Sequence, residues 1–281
     1  MIENWTAPLI IPTLEPGVVH VWSIDLADPD SPQLLSHAHT CLSLPEQQRA
    51  ERLRQGTTRD EFIAGRGCLR ALLAHYLHRS PSSLVLQVGS SGKPFLALSA
   101  APSFNVAHSG GLVLIALSPE GNLGIDVEEI DPRVEALELA EDHFTESEFA
   151  TIAGAGPNRL ASFYRCWTRK EAVTKADGRG LGLALKSFRV GAEPVPERVV
   201  TLPNNENGEK LELFLEDLPV PSRFAAALAS SLPITSAQLL RTNSLAVFHA
   251  SPIQHKGTSV RKLDADPGFS NRFRLPIGAS V

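Results

Sequence analysis

The 281-residue chain is short of several features, and each shortage removes a class of protein. Its cysteines, Cys41, Cys68 and Cys166, are odd in number and widely spaced, with no Cys-x-x-Cys pair. That excludes a disulfide framework and makes a reducing compartment the simpler setting. The longest apolar run, Leu112 to Leu117, falls far below the roughly 20 residues that a membrane helix needs. Met1 to Trp5 carries no basic stretch of the kind that opens a secretory signal, so a cytoplasmic protein is expected. Positive charge is not in excess either: 26 Lys and Arg face 31 Asp and Glu, a net charge of −5 that argues against a general nucleic-acid binder. No Gly-x-Ser-x-Gly elbow is present. What remains is ordinary soluble composition, 43% apolar and 20% charged, which excludes disorder and fibre.

Periodicity then organises the chain. Residues 18–26 alternate in part and read as a strand, and Leu44-Pro45-Glu46 opens a polar helical stretch. From Arg59 to Leu77 the positions Phe62, Ile63, Leu69, Leu72, Leu73 and Leu77 recur at helical spacing, predicting a long amphipathic helix closed by Ser80-Pro81. Short strands are expected at Leu84–Val88 and around Phe95, across the turn Gly89-Ser90-Ser91-Gly92. Two further strands follow, one from Phe104 into Leu112–Leu117 and one over Leu123–Ile130. Residues 135–154 read as helical, and Leu160–Ala176 as a strong helix that the glycine-rich loop 177–182 stops. Strands are expected on to about residue 230. A loose echo between the halves (helix, glycine-bearing turn, strand with an apolar run) fits a two-lobed pseudo-repeat. The expected division is 1–118, 119–235, and a poorly ordered tail over 236–281.

Several clusters could carry chemistry. In Gly124-Ile125-Asp126-Val127-Glu128, strand alternation puts Asp126 and Glu128 on one face, where two carboxylates repel unless a cation neutralises them. A solvated strand face would show the same pattern. Glu171 and Lys175 share a helix face, which suits either a surface ion pair or a third acid and an ammonium beside a magnesium-held phosphate. Arg49, Arg52, Arg54, Arg59, Arg66 and Arg70 crowd one stretch, as a solvated face or as guanidinium forks for phosphate. Lys93, after Gly89-Ser90-Ser91-Gly92, is not part of a Walker loop: the spacing is wrong and Pro94 stands where Ser or Thr should be. His108 heads a buried strand. The pairs His37/His39 and His75/His78 have metal-compatible spacing, but no further ligand completes a zinc set.

Five segments, taken in order, resemble one family. Gly92-Lys93-Pro94, Phe104-Asn105-Val106-Ala107-His108-Ser109, Gly124-Ile125-Asp126-Val127-Glu128, Phe144-Thr145-x-x-Glu148 and Trp167-Thr168-x-Lys170-Glu171-Ala172-x-x-Lys175 resemble the 4'-phosphopantetheinyl transferases. The likeness is to the larger, single-chain type that activates surfactin synthetase (Sfp-type), and it spans residues 18–230. It implies an α+β fold of two similar pseudo-symmetric lobes, each a mixed sheet packed on a long helix, with the active site between them. It also implies transfer of the 4'-phosphopantetheine group of coenzyme A to a serine of apo acyl or peptidyl carrier proteins, giving holo-carrier and 3',5'-ADP. Mg2+, with Mn2+ as a substitute, is the implied cofactor.

Position by position, the resemblance makes Asp126, Glu128 and Glu171 the metal-binding acids and places Lys175 near the coenzyme A phosphates. His108 and Lys93 would contact the 3'-phosphate region, with Arg59 and Arg66 assisting. Glu171, or a water it orients, is the candidate general base, and Lys175 would steady the leaving phosphate. Ala107 departs from the serine that the family often has there, which removes one hydrogen bond to coenzyme A. A two-lobed chain can build such a cleft alone, so a monomer is expected, with no nucleic-acid or membrane partner. Two other readings share the acids: a metal-dependent phosphohydrolase of coenzyme A or nucleotides, and a non-catalytic coenzyme A-binding module. The former would consume coenzyme A without a carrier; the latter would not require Asp126, Glu128, Glu171 and Lys175 together.

Overall fold

The computed structural model describes residues 5–8, 10–89, 92–98, 101–203 and 211–242. The chain opens with β1 (Val18–Asp25), α1 (Ser31–Cys41), α2 (Leu44–Arg52) and α3 (Thr57–Leu77). The short strands β2 (Leu86–Val88) and β3 (Pro94–Leu96) follow, then β4 (Ser103–Ser109), β5 (Leu112–Ser118) and β6 (Leu123–Glu129). Next come α4 (Ala136–His143), α5 (Glu146–Gly154) and α6 (Arg159–Asp177). The strands β7 (Val199–Leu202), β8 (Leu211–Asp217), β9 (Phe224–Ser230) and β10 (Ser236–Arg241) complete the α+β fold.

Two four-stranded sheets are built from these strands, in the orders β10-β1-β5-β4 and β6-β9-β8-β7. The first is mixed, because β10 runs parallel to β1, and the second is antiparallel throughout. The apolar run of β5 is buried on both faces, which is why it reads as continuous rather than alternating. Val113, Ile115 and Leu117 join a core with α1 and α3, while Leu112, Leu114 and Ala116 meet Leu123, Ile125 and Val127 of β6 between the sheets. A third core packs α6 through Phe163, Trp167 and Val173 on the far face of the second sheet. The resulting stack is helix, sheet, sheet, helix.

Three details differ from the sequence reading. The stretch 135–154 is two helices, because Thr145 and Glu148 form a capping box that restarts the chain as α5. The helix α1 carries no strong periodicity and was not predicted; Pro32 in its first turn is compatible with a helix start. The segment assigned to a tail from residue 236 begins with β10, which returns to pair with β1. The rest of that assignment, from residue 243 on, lies outside the described residues, as do Ser90 and Ser91 of the predicted turn.

Close backbone approaches place the site. A Cβ on Gly124 would sit 1.9 Å from the Ala172 carbonyl oxygen, so glycine alone lets α6 lie directly on β6. At the facing edges of the sheets, Asn105 Oδ1 accepts the Ile125 N–H at 2.8 Å, and Ser109 Oγ accepts the Glu129 N–H at 3.0 Å. The side chains of β4 thus satisfy the edge donors of β6, where no strand continues the ladder.

Candidate active site

A cleft of about 180 Å³ opens where these elements meet. One wall comes from α3 (Glu61, Phe62, Arg66, Leu69) and β4 (Val106, Ala107, His108). The other comes from β6 (Asp126, Glu128) and α6 (Glu171, Thr174, Lys175), and Lys93, Pro94, Gly178 and Gly180 also line it. Strand alternation turns Asp126 and Glu128 to the α6 side of β6, and helical spacing brings Glu171 and Lys175 onto the face that Gly124 admits. Gly178, at φ +85°, then ends the helix just beyond Lys175.

Its electrostatics are dominated by burial. The Lys175 ammonium stands 2.6 Å from Asp126 Oδ1 and also donates to the Ile125 carbonyl at 3.2 Å. Asp126 Oδ2 is buried with no hydrogen-bond partner among the described residues. Burial pushes the Asp126 carboxyl above its ordinary value against the pull of Lys175. Burial first, and then the Asp126 charge, raise Glu171 to about 7. Lys175 would itself be lowered by burial, but Asp126 and Glu171 hold it above its usual range and keep it cationic. Glu128 accepts the Ser109 hydroxyl at 2.9 Å.

Seven of the sequence-predicted site residues share this cleft: Asp126, Glu128, Glu171, Lys175, His108, Lys93 and Arg66. Arg59 is not among its lining residues. The three acids line one space, yet among the described residues no three acidic, His or Cys side chains are drawn into a cation-holding set. Carboxylates repel one another without a cation between them, and Lys175 supplies the local countercharge instead. The partnerless Asp126 Oδ2 and three oxygen-donor side chains nonetheless fit a hard divalent cation. Lys93 differs from the simple picture of a free phosphate ligand: its ammonium donates to the carbonyls of Leu123 at 2.6 Å and Lys175 at 2.9 Å. Burial, then Lys175, lowers it to about 8. One of its three hydrogens is left for a ligand.

Of the arginine cluster, Arg70 is structural. It is 3% exposed and donates to Glu46 Oε2 at 2.5 Å and to the carbonyls of Pro81 and Leu84. Sequence reasoning gave no role to Glu61, Asn105, Ser109 or Thr174. Asn105 and Ser109 lie inside a quoted motif, and their spacing on one face of β4 is the signal that could have found them. Thr174, whose Oγ1 is buried with no partner among the described residues, lines the cleft and precedes Lys175 on α6. Glu61 carries no such signal, being one acid in a basic stretch.

An α+β chain with buried acids, an ammonium and further cations around one cleft belongs among enzymes that handle phosphate esters. The comparisons narrow this class. Residues 122–229 match the 4'-phosphopantetheinyl transferase superfamily, and residues 28–120 match the N-terminal region of 4'-phosphopantetheinyl transferases. The chain is 36% identical over 196 residues to the 4'-phosphopantetheinyl transferase HetI of Nostoc sp., covering 68% of this chain and 81% of that protein. It is 39% identical over 129 residues to the 4'-phosphopantetheinyl transferase AcpT of Escherichia coli, covering 46% of this chain and 63% of AcpT. A Synechocystis sp. protein that carries the same activity provisionally in its name is 37% identical over 156 residues, 54% of this chain and 63% of its own length. For these last two, the chain spans a little under two thirds of the relative. The chain belongs to the 4'-phosphopantetheinyl transferase superfamily.

Proposed function

We propose that this chain moves the 4'-phosphopantetheine group of coenzyme A onto a serine hydroxyl of an apo acyl or peptidyl carrier protein, releasing 3',5'-ADP. The observation that carries this reading is the Asp126–Lys175 pair, seated with Glu128 and Glu171 along one cleft. The names of HetI and AcpT, which state the same transfer, support it.

Asp126, Glu128 and Glu171 would hold Mg2+ or Mn2+, a Lewis acid that offsets negative charge on the coenzyme A pyrophosphate. Lys175, which lines the cleft beside Asp126, neutralises charge on the leaving phosphate. Glu171, or a water it orients, takes the serine proton. His108, Arg66 and the remaining hydrogen of Lys93 meet the 3'-phosphate region, and Phe62, Leu69 and Val106 offer an apolar wall. Phosphoryl transfer rests on such positioning more than on covalent help from the protein.

Finer assignments rest on the same grounds. We place the chain with the larger single-chain type, since both sheet–helix halves that wall the cleft come from one chain, which favours a monomer. Buried free thiols at Cys41, Cys68 and Cys166 favour the cytoplasm. Among the described residues no helix is long and apolar enough to cross a membrane.

The test is to follow coenzyme A with and without apo-carrier in the presence of Mg2+. Consumption only when the carrier is present is expected. Consumption without it would transfer the chain to the phosphohydrolases, and none in either case would leave a binding module.

A further inference from the structure

Behind the cleft histidine sits a buried carboxylate that no motif marks. Glu61, on α3, is 3% exposed, and both its oxygens are engaged. Oε2 lies 2.9 Å from His108 Nδ1. Oε1 accepts the Gly111 N–H at 2.9 Å. Gly110 and Gly111, at φ +55° and +83°, form the tight turn between β4 and β5. One carboxylate on a helix therefore fixes the histidine ring and the turn that follows its strand.

The consequence for the ring is specific. With Oε1 taken by the Gly111 N–H, an ionised Glu61 can only accept at Oε2, which would put the hydrogen of this contact on the Nδ1 of His108. The ring is 20% exposed and lines the cleft, leaving Nε2 as the nitrogen that can meet a ligand there. An imidazolium donating through Nε2 to a phosphate would find its countercharge in Glu61, across the ring. Without Glu61, the ring could turn or take the other tautomer.

We propose that Glu61 is a positioning residue for coenzyme A, holding His108 by Nδ1 so that Nε2 is presented to the 3'-phosphate. This rests on the reading above that His108 meets that phosphate. Ser109, next in the chain, holds Glu128 on the opposite wall, so the end of β4 aligns both the anion-binding and the acidic sides of the cleft.

The experiment compares KM for coenzyme A and for 3'-dephospho-coenzyme A in wild type, Glu61→Gln, His108→Ala and the double variant. Losing a charge-assisted contact should raise KM for coenzyme A about tenfold in His108→Ala, and far less for the dephospho substrate. Glu61→Gln should reproduce most of that selective rise, mainly in KM rather than kcat, and should add almost nothing to His108→Ala. Equal losses on both substrates, or full additivity in the double variant, would overturn the proposal. A normal His108→Ala effect beside a silent Glu61→Gln defeats the role of Glu61 alone. An unselective His108→Ala defeats the underlying reading of His108, and the proposal with it. Should Glu61→Gln not fold, nitrogen NMR of the wild-type ring decides: hydrogen on Nδ1 is expected, and hydrogen on Nε2 alone contradicts it.

Discussion

Lys170 Nζ lies 2.8 Å from Glu148 Oε2, with neither side chain exposed. Lys170 also donates to the Leu185 and Phe188 carbonyls, and Glu148 accepts the N–H groups of Thr145, Val190 and Gly191. Lys170 and Glu171 are adjacent in the chain but about 100° apart around the helix. One braces the core and the other faces the cleft.

Breaking that buried pair from one side should therefore cost stability. Lys170→Met is expected to lose about 3–5 kcal/mol in urea denaturation, because it strands a buried carboxylate. Replacing Glu148 by Gln as well should recover part of the loss, because it removes the stranded charge while an amide oxygen can still accept from the Val190 and Gly191 N–H groups. Burial alone would raise Glu148, but the Lys170 charge and the hydrogen bonds from Lys170, Val190 and Thr145 hold it below its ordinary value. Its contribution is thus present above the unfolded carboxylate range and is lost as pH falls through the lower folded value. Wild type should show this acid-side loss, and the double variant should not.

Gly124→Ala should misplace the site by sterics alone. The new methyl would meet Ala172 O at 1.9 Å and Ala176 N at 2.5 Å, so α6 must shift off β6. A cost of about 1–3 kcal/mol is expected from overpacking, together with a fall in transfer rate as Lys175 and Glu171 move from Asp126. Thermal melts and a carrier-loading assay on one preparation check both.

Glu171 should cost stability in exchange for chemistry. Its carboxyl rises from 4.5 unfolded to about 7 folded, so in metal-free protein the penalty grows as pH climbs between those values and is complete above them. Glu171→Gln should then melt higher than wild type at pH 8 and about level with it at pH 4. The same variant should lose transfer by at least about a hundredfold. Equal melting offsets at the two pH values would contradict the account.

Lys175→Met should make folding lean on divalent cation. Without the ammonium 2.6 Å away, Asp126 keeps its buried carboxylate but not its countercharge. Thermal melts in chelator should fall below wild type, and saturating Mg2+ should lift the variant by more than it lifts wild type. Identical shifts in both proteins would show that Lys175 does not balance the acids.

Much of this was legible in the sequence where a local period or a fixed spacing carried it. The long helix ending at Leu77, the helix ended by Gly178, and the strand that presents Asp126 and Glu128 together are local facts. So was the order of motifs that pointed to the family. What was not legible depends on contacts between distant segments. Nothing local distinguishes Arg70, buried against Glu46, from Arg66, which reaches the same carboxylate at 3.5 Å and also lines the cleft, or Lys170 from Lys175. The pairing of β10 with β1 joins residues more than 200 positions apart, and no periodicity near residue 236 announces it. Glu61 looks like any helical acid until His108 is seen beside it.

The most direct test of the whole account is to weigh an apo-carrier protein after incubation with coenzyme A and Mg2+, using wild type and Asp126→Asn side by side. Wild type should add one phosphopantetheine to the carrier serine, while a folded Asp126→Asn should leave the carrier mass unchanged. Equal loading by both proteins, or no loading by wild type of a carrier that another transferase can load, would contradict it.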